Sequence, residues 1–153
     1  MEANAIADDL AAAMQSECLG ARVAQLHRLV ARAYEQELQP LGISLPQIEI
    51  LSRLMTAASA VKPTALAAEL MVERSTLSRN LALMQAKGWI TGVKTSLTGR
   101  TMSVAIADPG VEVLAAAASG WRRRQAVTES ALGRSACSTL DYWIASLTET
   151  LSC

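Results

Sequence analysis

Apolar residues recur at spacings of three and four along most of the chain, which is the period of an amphipathic α-helix. The first such stretch runs from about Asp8 to Leu38 and contains no proline. The pattern predicts one long helix with a coiled-coil-like apolar stripe. The apolar positions of this stripe are Leu19, Val23, Leu26, Val30 and Ala33.

A capping box opens the second predicted helix. Pro40 and Gly42 break the first helix, and Ser44 followed by Gln47 has the spacing of a capping box. The helix that begins there is predicted to end near Ala58. Its inward positions are Ile48, Leu51 and either Leu54 or Met55.

The next elements have the order helix, tight turn, helix. Pro63 suits the first position of a short helix that continues to about Leu70. Residues 71–73 are too few for more than a turn, and a further helix is predicted over residues 74–87. Gly88 suits its end, because glycine readily adopts the left-handed conformation found there. These elements form a helix-turn-helix.

After this helix the apolar period changes to two. Met102, Val104 and Ile106 alternate with small or polar residues, which predicts a strand, and the segment from Trp89 to Lys94 is its expected partner. Residues 95–99, with one glycine and three hydroxyl side chains, suit a hairpin loop.

Helix resumes after the hairpin, with Asp108 predicted as the N-cap and Pro109 at the first position. The fold class is therefore mainly α with a two-stranded β hairpin: four helices, the hairpin and two further helices. The apolar stripe of the fifth helix is Val111, Leu114, Ala118 and Trp121, and that of the last is Leu140, Ile144, Leu147 and Leu151.

Composition narrows the class of protein. The 153 residues are 51% hydrophobic and 18% charged, which is sufficient for a buried core. The three cysteines are widely spaced, so a disulfide framework is not expected. The acidic N-terminus does not resemble a signal peptide, and no apolar stretch approaches the roughly 18 residues of a membrane span. We therefore expect a cytoplasmic protein without a membrane partner.

The charge is balanced overall but unevenly distributed. Residues 1–73 contain five basic and nine acidic residues, and residues 108–153 contain four and five. Residues 74–107 contain no Asp or Glu. Because this segment covers the last helix of the helix-turn-helix and the hairpin, one structural unit carries the positive charge that nucleic acid would attract. The basic residues of this segment are Arg74, Arg79, Lys87, Lys94 and Arg100.

The predicted helix over residues 74–87 has two chemically different faces. Leu77, Leu81 and Met84 form a stripe to be buried. Short hydroxyl side chains can contact DNA without holding the backbone away, and an arginine can bind guanine through two hydrogen bonds. The opposite face therefore suits the major groove of DNA. Its residues are Ser75, Thr76, Ser78, Arg79 and Ala82.

Catalytic and metal-binding patterns are absent from the sequence. There is no nucleophile elbow, phosphate-binding loop, dinucleotide fingerprint or zinc-protease motif. The single histidine, His27, and the distant cysteines lack the short spacings of a zinc site. We expect neither an enzyme nor a cofactor. The run from Arg122 to Arg124 is interpreted as a partly solvated stretch, because successive helical residues point in different directions.

An ordered set of motifs resembles the MarR family of bacterial winged helix-turn-helix transcription regulators. The resemblance covers most of the chain, and its departures are Lys62, Met71 and Thr98, where the family commonly has Thr, Gly and Asp. The matching segments are residues 41–47, Leu66 with Ala67, residues 74–81, residues 87–90, Gly99 with Arg100, and residues 108–110.

This resemblance implies a homodimeric repressor that releases DNA when a small-molecule effector binds. Residues 1–38 would form an N-terminal dimerisation helix, residues 39–107 the DNA-binding domain and residues 108–153 the C-terminal dimerisation helices. The hairpin would be the wing.

The residues expected to contact double-stranded DNA follow from this arrangement. Ser75, Thr76, Ser78 and Arg79 would lie in the major groove. Arg74 and Lys94 would contact phosphates, and Arg100 would enter the minor groove.

The resemblance also suggests an effector site and a redox alternative. A pocket for a small aromatic or other effector would lie between the dimerisation helices and the DNA-binding domain of residues 39–107, here called the winged unit. His27, Tyr34 and Trp121 would line this pocket. One branch of the family senses peroxide through a cysteine in the first helix, so a thiol switch at Cys18 is a second hypothesis. A winged-helix module that binds protein instead of DNA is the third. Cys137 and Cys153 are interpreted as a core residue and a terminal one.

Overall fold

The computed structural model describes residues 2–94 and 102–151. It confirms the predicted fold class: mainly α-helical, with one antiparallel two-stranded sheet. A single 3-10 turn, Gln39–Leu41, follows the second helix. In chain order the elements are α1 (Glu2–Ser16), α2 (Leu19–Leu38), α3 (Leu45–Thr56), α4 (Pro63–Glu69), α5 (Arg74–Ala86), β1 (Ile90–Lys94), β2 (Met102–Ile106), α6 (Asp108–Leu132) and α7 (Ala136–Leu151).

The prediction of one long N-terminal helix is wrong, because the chain breaks between α1 and α2. Cys18 has an extended backbone, and its sulfur accepts a hydrogen bond from the backbone N–H of Ala21 at 3.4 Å. The thiol thus takes the role that a hydroxyl usually has at a helix N-cap. The guanidinium of Arg22 donates to the carbonyl of Ser16, at the end of α1. The apolar spacing continues across the break and so conceals it.

The capping box predicted for α3 is present. The backbone N–H of Ser44 donates to Oε1 of Gln47 at 3.1 Å. The helix ends at Thr56, two residues before the predicted end. Leu54 faces the core and Met55 is exposed, which resolves the alternative left open by the sequence.

The helix-turn-helix consists of α4, a tight turn and α5. Pro63 is the first residue of α4, and Gly88 follows α5 with a φ of 70°, both as predicted. In the turn, Met71 has a φ of 52°, a left-handed conformation in which a side chain is strained. Met71 is one of the three departures from the resembled MarR pattern, which has glycine here.

Replacing Met71 with glycine is expected to stabilise the protein. Two-thirds of the Met71 side chain is exposed, so little packing is lost, and relief of the left-handed strain contributes about 1 kcal/mol to the free energy of unfolding. The midpoint of thermal unfolding should rise by about 3 °C. Met55→Gly is the matched control, since Met55 is also exposed but lies inside α3 and should lose about 1 kcal/mol. If both variants lower the midpoint, the strain at Met71 does not affect stability.

The hairpin is extended by a third segment that the sequence did not indicate. Strands β1 and β2 pair antiparallel, with Gly92 opposite Val104. Val61, just before α4, forms an isolated bridge with Val104 through two backbone hydrogen bonds of 2.8 Å. The middle of the hairpin is therefore tied to the start of the helix-turn-helix.

Helix α6 begins against the start of the hairpin. Its N-cap is Ala107 instead of the predicted Asp108, so Pro109 occupies the second helical position. The N–H of Ala107 donates to the carbonyl of Trp89 at 2.9 Å, and this contact places the cap one residue earlier than the prediction. Gly110 lies against the same carbonyl: a Cβ there would be 2.2 Å from the Trp89 oxygen.

Helices α2 and α6 pack along each other and join the terminal helices to the winged unit. Tyr34 and Leu38 on α2 and Ala117 on α6 belong to the buried core. Beside them, Glu37 accepts hydrogen bonds from Arg123 at 3.0 Å and Arg124 at 3.3 Å.

Helices α1 and α7 contribute no buried residue to the described chain. Their large apolar side chains are exposed. On α1 these are Ile6, Leu10 and Met14, and on α7 they are Leu140, Tyr142, Trp143, Ile144, Leu147 and Leu151. Among the described residues, no helix has the length and hydropathy needed to cross a bilayer.

Candidate nucleic-acid interface

The two faces predicted for α5 are present. Leu77, Leu81 and Met84 are buried, and they fix the rotation of the helix against the core. The same packing turns the opposite face to solvent. The exposed residues of that face are Ser75, Thr76, Ser78, Arg79 and Ala82.

Hydrogen bonds within α5 orient two of its longer side chains. Nε of Arg79 donates to the carbonyl of Ser75 at 3.3 Å, which holds the guanidinium along the helix. Nδ2 of Asn80 donates to the carbonyl of Thr76 at 3.2 Å. Arg79 has no ion pair within residues 2–94 and 102–151, so its terminal nitrogens can bind an external acceptor.

The basic residues predicted around α5 divide into three groups. Arg74 and Arg79 are exposed on α5 itself. Lys87 is used internally: its ammonium donates to the carbonyl of Gly42 at 2.6 Å and lies 4.3 Å from the centre of the Trp89 ring. The side chain of Lys94 and the whole of Arg100, together with Thr98, lie outside the described residues.

An acidic residue that belongs to the acidic N-terminal segment of the charge count adjoins this face. Glu73 is the N-cap of α5, is exposed, and makes no capping hydrogen bond with its side chain. Glu73 immediately precedes the acid-free segment. Its position at the start of the predicted helix was the signal in the sequence that it would adjoin this face. Lys62 is the exposed N-cap of α4.

The three predicted effector contacts fall into two separate cavities. Trp121 lines an open cavity of about 680 Å³ between α3 and α6, where the winged unit meets the long helix. Glu49 and Arg53 are the charged residues of its lining, and Arg53 also pairs with Glu69 on α4 at 3.1 Å.

His27 and Tyr34 line the second cavity, of about 340 Å³, between α2, α6 and α7. The hydroxyl of Tyr34 donates to Oε1 of Gln125. Burial raises the pKa of Tyr34 above its usual value, so the phenol stays protonated in the neutral range.

The cysteines occupy different environments. Cys18 is half-buried in the break between α1 and α2, whereas Cys137 is exposed at the start of α7. Cys137 is therefore not the core residue that the sequence suggested. Cys153 lies outside the described residues. In the described ranges no three His, Cys, Asp or Glu side chains are grouped to hold a metal ion.

The helix-turn-helix matches a known family. Residues 41–101 match the family model described as "MarR family". No curated protein matches the chain in sequence.

Several solved structures share the whole fold. The chain is 26% identical to the transcriptional regulator MosR of M. tuberculosis in complex with DNA, with a TM-score of 0.76 over 89% of this chain and 97% of that one. A mutant of MarR from E. coli complexed with operator DNA gives a TM-score of 0.76 at 20% identity, over 88% and 96% of the two chains. CouR from Rhodococcus jostii bound to p-coumaroyl-CoA gives 0.71 at 14% identity, over 86% and 92%.

Proposed function

This chain belongs to the MarR family of winged helix-turn-helix transcription regulators, and from that premise we propose that it is a homodimeric repressor released from DNA by a small molecule. The observation that carries the proposal is the exposed face of α5, on which short hydroxyl side chains surround Arg79. A helix with this face fits the major groove, where arginine distinguishes guanine from the other bases.

Charge supports the same orientation. Double-stranded DNA carries one negative charge per about 1.7 Å of axis, and neutralising phosphates releases counterions. Arg74 at the start of α5 can contact the backbone on one side of the groove. We assign Lys94 and Arg100 of the hairpin to a phosphate and to the minor groove. Because a dimer makes these contacts once in each subunit, its DNA binding would be strongly salt-dependent.

The terminal helices explain why two copies are needed. The exposed apolar side chains of α1 and α7 form faces that a single chain leaves in water. A second copy would bury both faces and place two α5 helices about one turn of DNA apart. The proposed boundaries are therefore residues 1–38 and 108–153 for dimerisation and residues 39–107 for DNA binding.

Replacing Ile144 with glutamate tests this dimer. Ile144 lies in the apolar stripe of α7, and a charge there would be buried unpaired against the partner. We expect the wild type to have twice the mass of one chain by light scattering, and Ile144→Glu to have the mass of one chain. Ala145→Glu places the same charge outside the stripe and should remain dimeric. A dimeric Ile144→Glu would exclude α7 from the interface.

The cavity between α3 and α6 is the proposed effector site. Helix α3 belongs to the winged unit and α6 to the dimerisation region, so a molecule between them can change their relative angle. Effector binding would favour dimers whose α5 helices no longer match the half-site spacing. The apolar walls and Trp121 favour a ligand with an aromatic or other apolar part; CouR, with the same fold, was solved with p-coumaroyl-CoA.

Fluorescence anisotropy is the experiment that tests the function. The protein is titrated into labelled DNA from directly upstream of its own gene and into a random duplex, at several salt concentrations. We expect saturable binding that prefers the upstream DNA and weakens steeply with salt. The contrary result is equal affinity for the upstream and random duplexes, together with a genome-wide DNA selection that enriches no sequence. The winged helix would then be a protein-binding module instead.

A thiol switch on the same scaffold remains the alternative. Cys18 caps α2 through its sulfur, so oxidation would remove this cap within the dimerisation region. We propose a cytoplasmic location for either form of the regulator, because a reduced thiol and a DNA target both require it.

A further inference from the structure

The cavity between α2, α6 and α7 has the features of a second small-molecule site. Its volume is about 340 Å³, and half of its lining residues are aliphatic. A cavity of about 150 Å³ is known to accommodate benzene, so this one has room for a substituted ring. Helix α6 borders both this cavity and the α3–α6 cavity, but the two share no lining residue.

A short chain of hydrogen bonds supplies the cavity with one directed polar group. The buried hydroxyl of Tyr34 donates to Oε1 of Gln125, which fixes the orientation of the amide. Nε2 of Gln125 therefore points the other way, where it donates to the sulfur of Cys137 across 3.8 Å. Sulfur is a weak acceptor at this distance, so the amide N–H can instead donate to a stronger acceptor on a ligand.

The charges of the lining determine which ligand can enter. Glu129 is in the wall, and no lysine or arginine is among the lining residues. An anion would be repelled by Glu129, and Arg124, whose charge reaches Tyr34, is already paired with Glu37. The α3–α6 cavity differs, because Arg53 lies in its wall.

We propose that the α2–α6–α7 cavity binds an uncharged molecule with a small apolar body and one hydrogen-bond acceptor, such as an aryl ketone, whose oxygen accepts from Nε2 of Gln125. The ligand covers the thiol of Cys137, which lines the same cavity. The site lies in the proposed dimerisation region, but neither α5 nor the α3–α6 cavity takes part in it.

Alkylation of Cys137 by iodoacetamide reports occupancy of this cavity. The rate is followed by peptide mass spectrometry, so that Cys18 in the same sample serves as an internal control. Acetophenone and benzoate have the same number of non-hydrogen atoms and differ in charge. At saturating acetophenone we expect alkylation of Cys137 to slow by about tenfold, with Cys18 unchanged. Benzoate at the same concentration should change neither rate.

Two variants locate the effect. Gln125→Glu keeps an oxygen for the Tyr34 hydroxyl but removes the N–H donor, and it should require about tenfold more acetophenone for the same protection. Leu26→Trp fills the cavity with an apolar side chain and should abolish the protection without disturbing the polar chain.

Three results would overturn the proposal. The first is an equal rate of Cys137 alkylation with and without acetophenone. The second is equal protection by benzoate. The third is a Cys137 thiol that does not react in the free protein because its cavity is closed. None of these results would affect DNA binding in the anisotropy assay, so this failure is distinguishable from failure of the repressor function.

Discussion

Arg79→Ala is expected to weaken binding to the preferred DNA by about 10- to 100-fold and to reduce the preference over random DNA. A bidentate contact between arginine and a base contributes about 1–3 kcal/mol of discrimination. Arg79 is the exposed cation in the middle of α5, and its only described hydrogen bond uses Nε, so both terminal nitrogens remain available for a base. Anisotropy titrations of the two proteins on both duplexes measure the change.

Arg122→Ala is the matched control. Arg122 is also exposed and belongs to a run of three arginines, but it lies on α6, outside the winged unit. Its removal should leave the affinity within about twofold of the wild type. If Arg122→Ala lost affinity and Arg79→Ala did not, the DNA would lie on α6 and the proposed orientation would be wrong.

Gly110→Ala should produce the largest loss of stability, about 3 kcal/mol in the free energy of unfolding. The added Cβ would lie 2.2 Å from the carbonyl oxygen of Trp89 and 3.0 Å from Cγ1 of Ile106. The oxygen belongs to backbone and also accepts from Ala107, so it cannot move away without loss of that bond. The start of α6 must shift instead, and with it the base of the hairpin.

Gly120→Ala makes the same substitution ten residues later in α6. We expect it to raise the free energy of unfolding, whereas Gly110→Ala lowers it. Its nearest neighbour would be Cβ of Glu37 at 3.5 Å, an ordinary contact. Alanine is favoured over glycine inside a helix by about 1 kcal/mol. Thermal unfolding should therefore separate the two variants by about 10 °C. Equal midpoints would show that the contact at Trp89 yields without cost.

The elements from α3 to α5 could be predicted closely because their signals are local. The capping box at Ser44, the proline at the start of α4 and the glycine after α5 each act through their own backbone. The buried stripe of α5 follows from helical periodicity alone. The exposed side chains that we propose to face DNA lie on the opposite side of the helix, so that face could also be predicted.

Contacts between distant segments could not be predicted in this way. The bridge from Val61 to Val104 joins residues 43 positions apart, and neither residue shows it by its type. Lys87 counts as a free cation in the sequence, but the fold brings the carbonyl of Gly42 to it. The break at Cys18 was missed because a thiol is an unusual N-cap and the apolar period runs through it.

The sequence by itself determined the order of the elements from α3 onwards, the two faces of α5 and the concentration of basic residues around it, since periodicity, caps and charge counts depend only on neighbours along the chain. Only the tertiary structure decided which side chains share a cavity. It separated Trp121 from His27 and Tyr34, and it brought Gln125 between Tyr34 and Cys137. The physical reason is that a cavity depends on how helices cross, and this depends on side-chain packing between segments far apart in sequence.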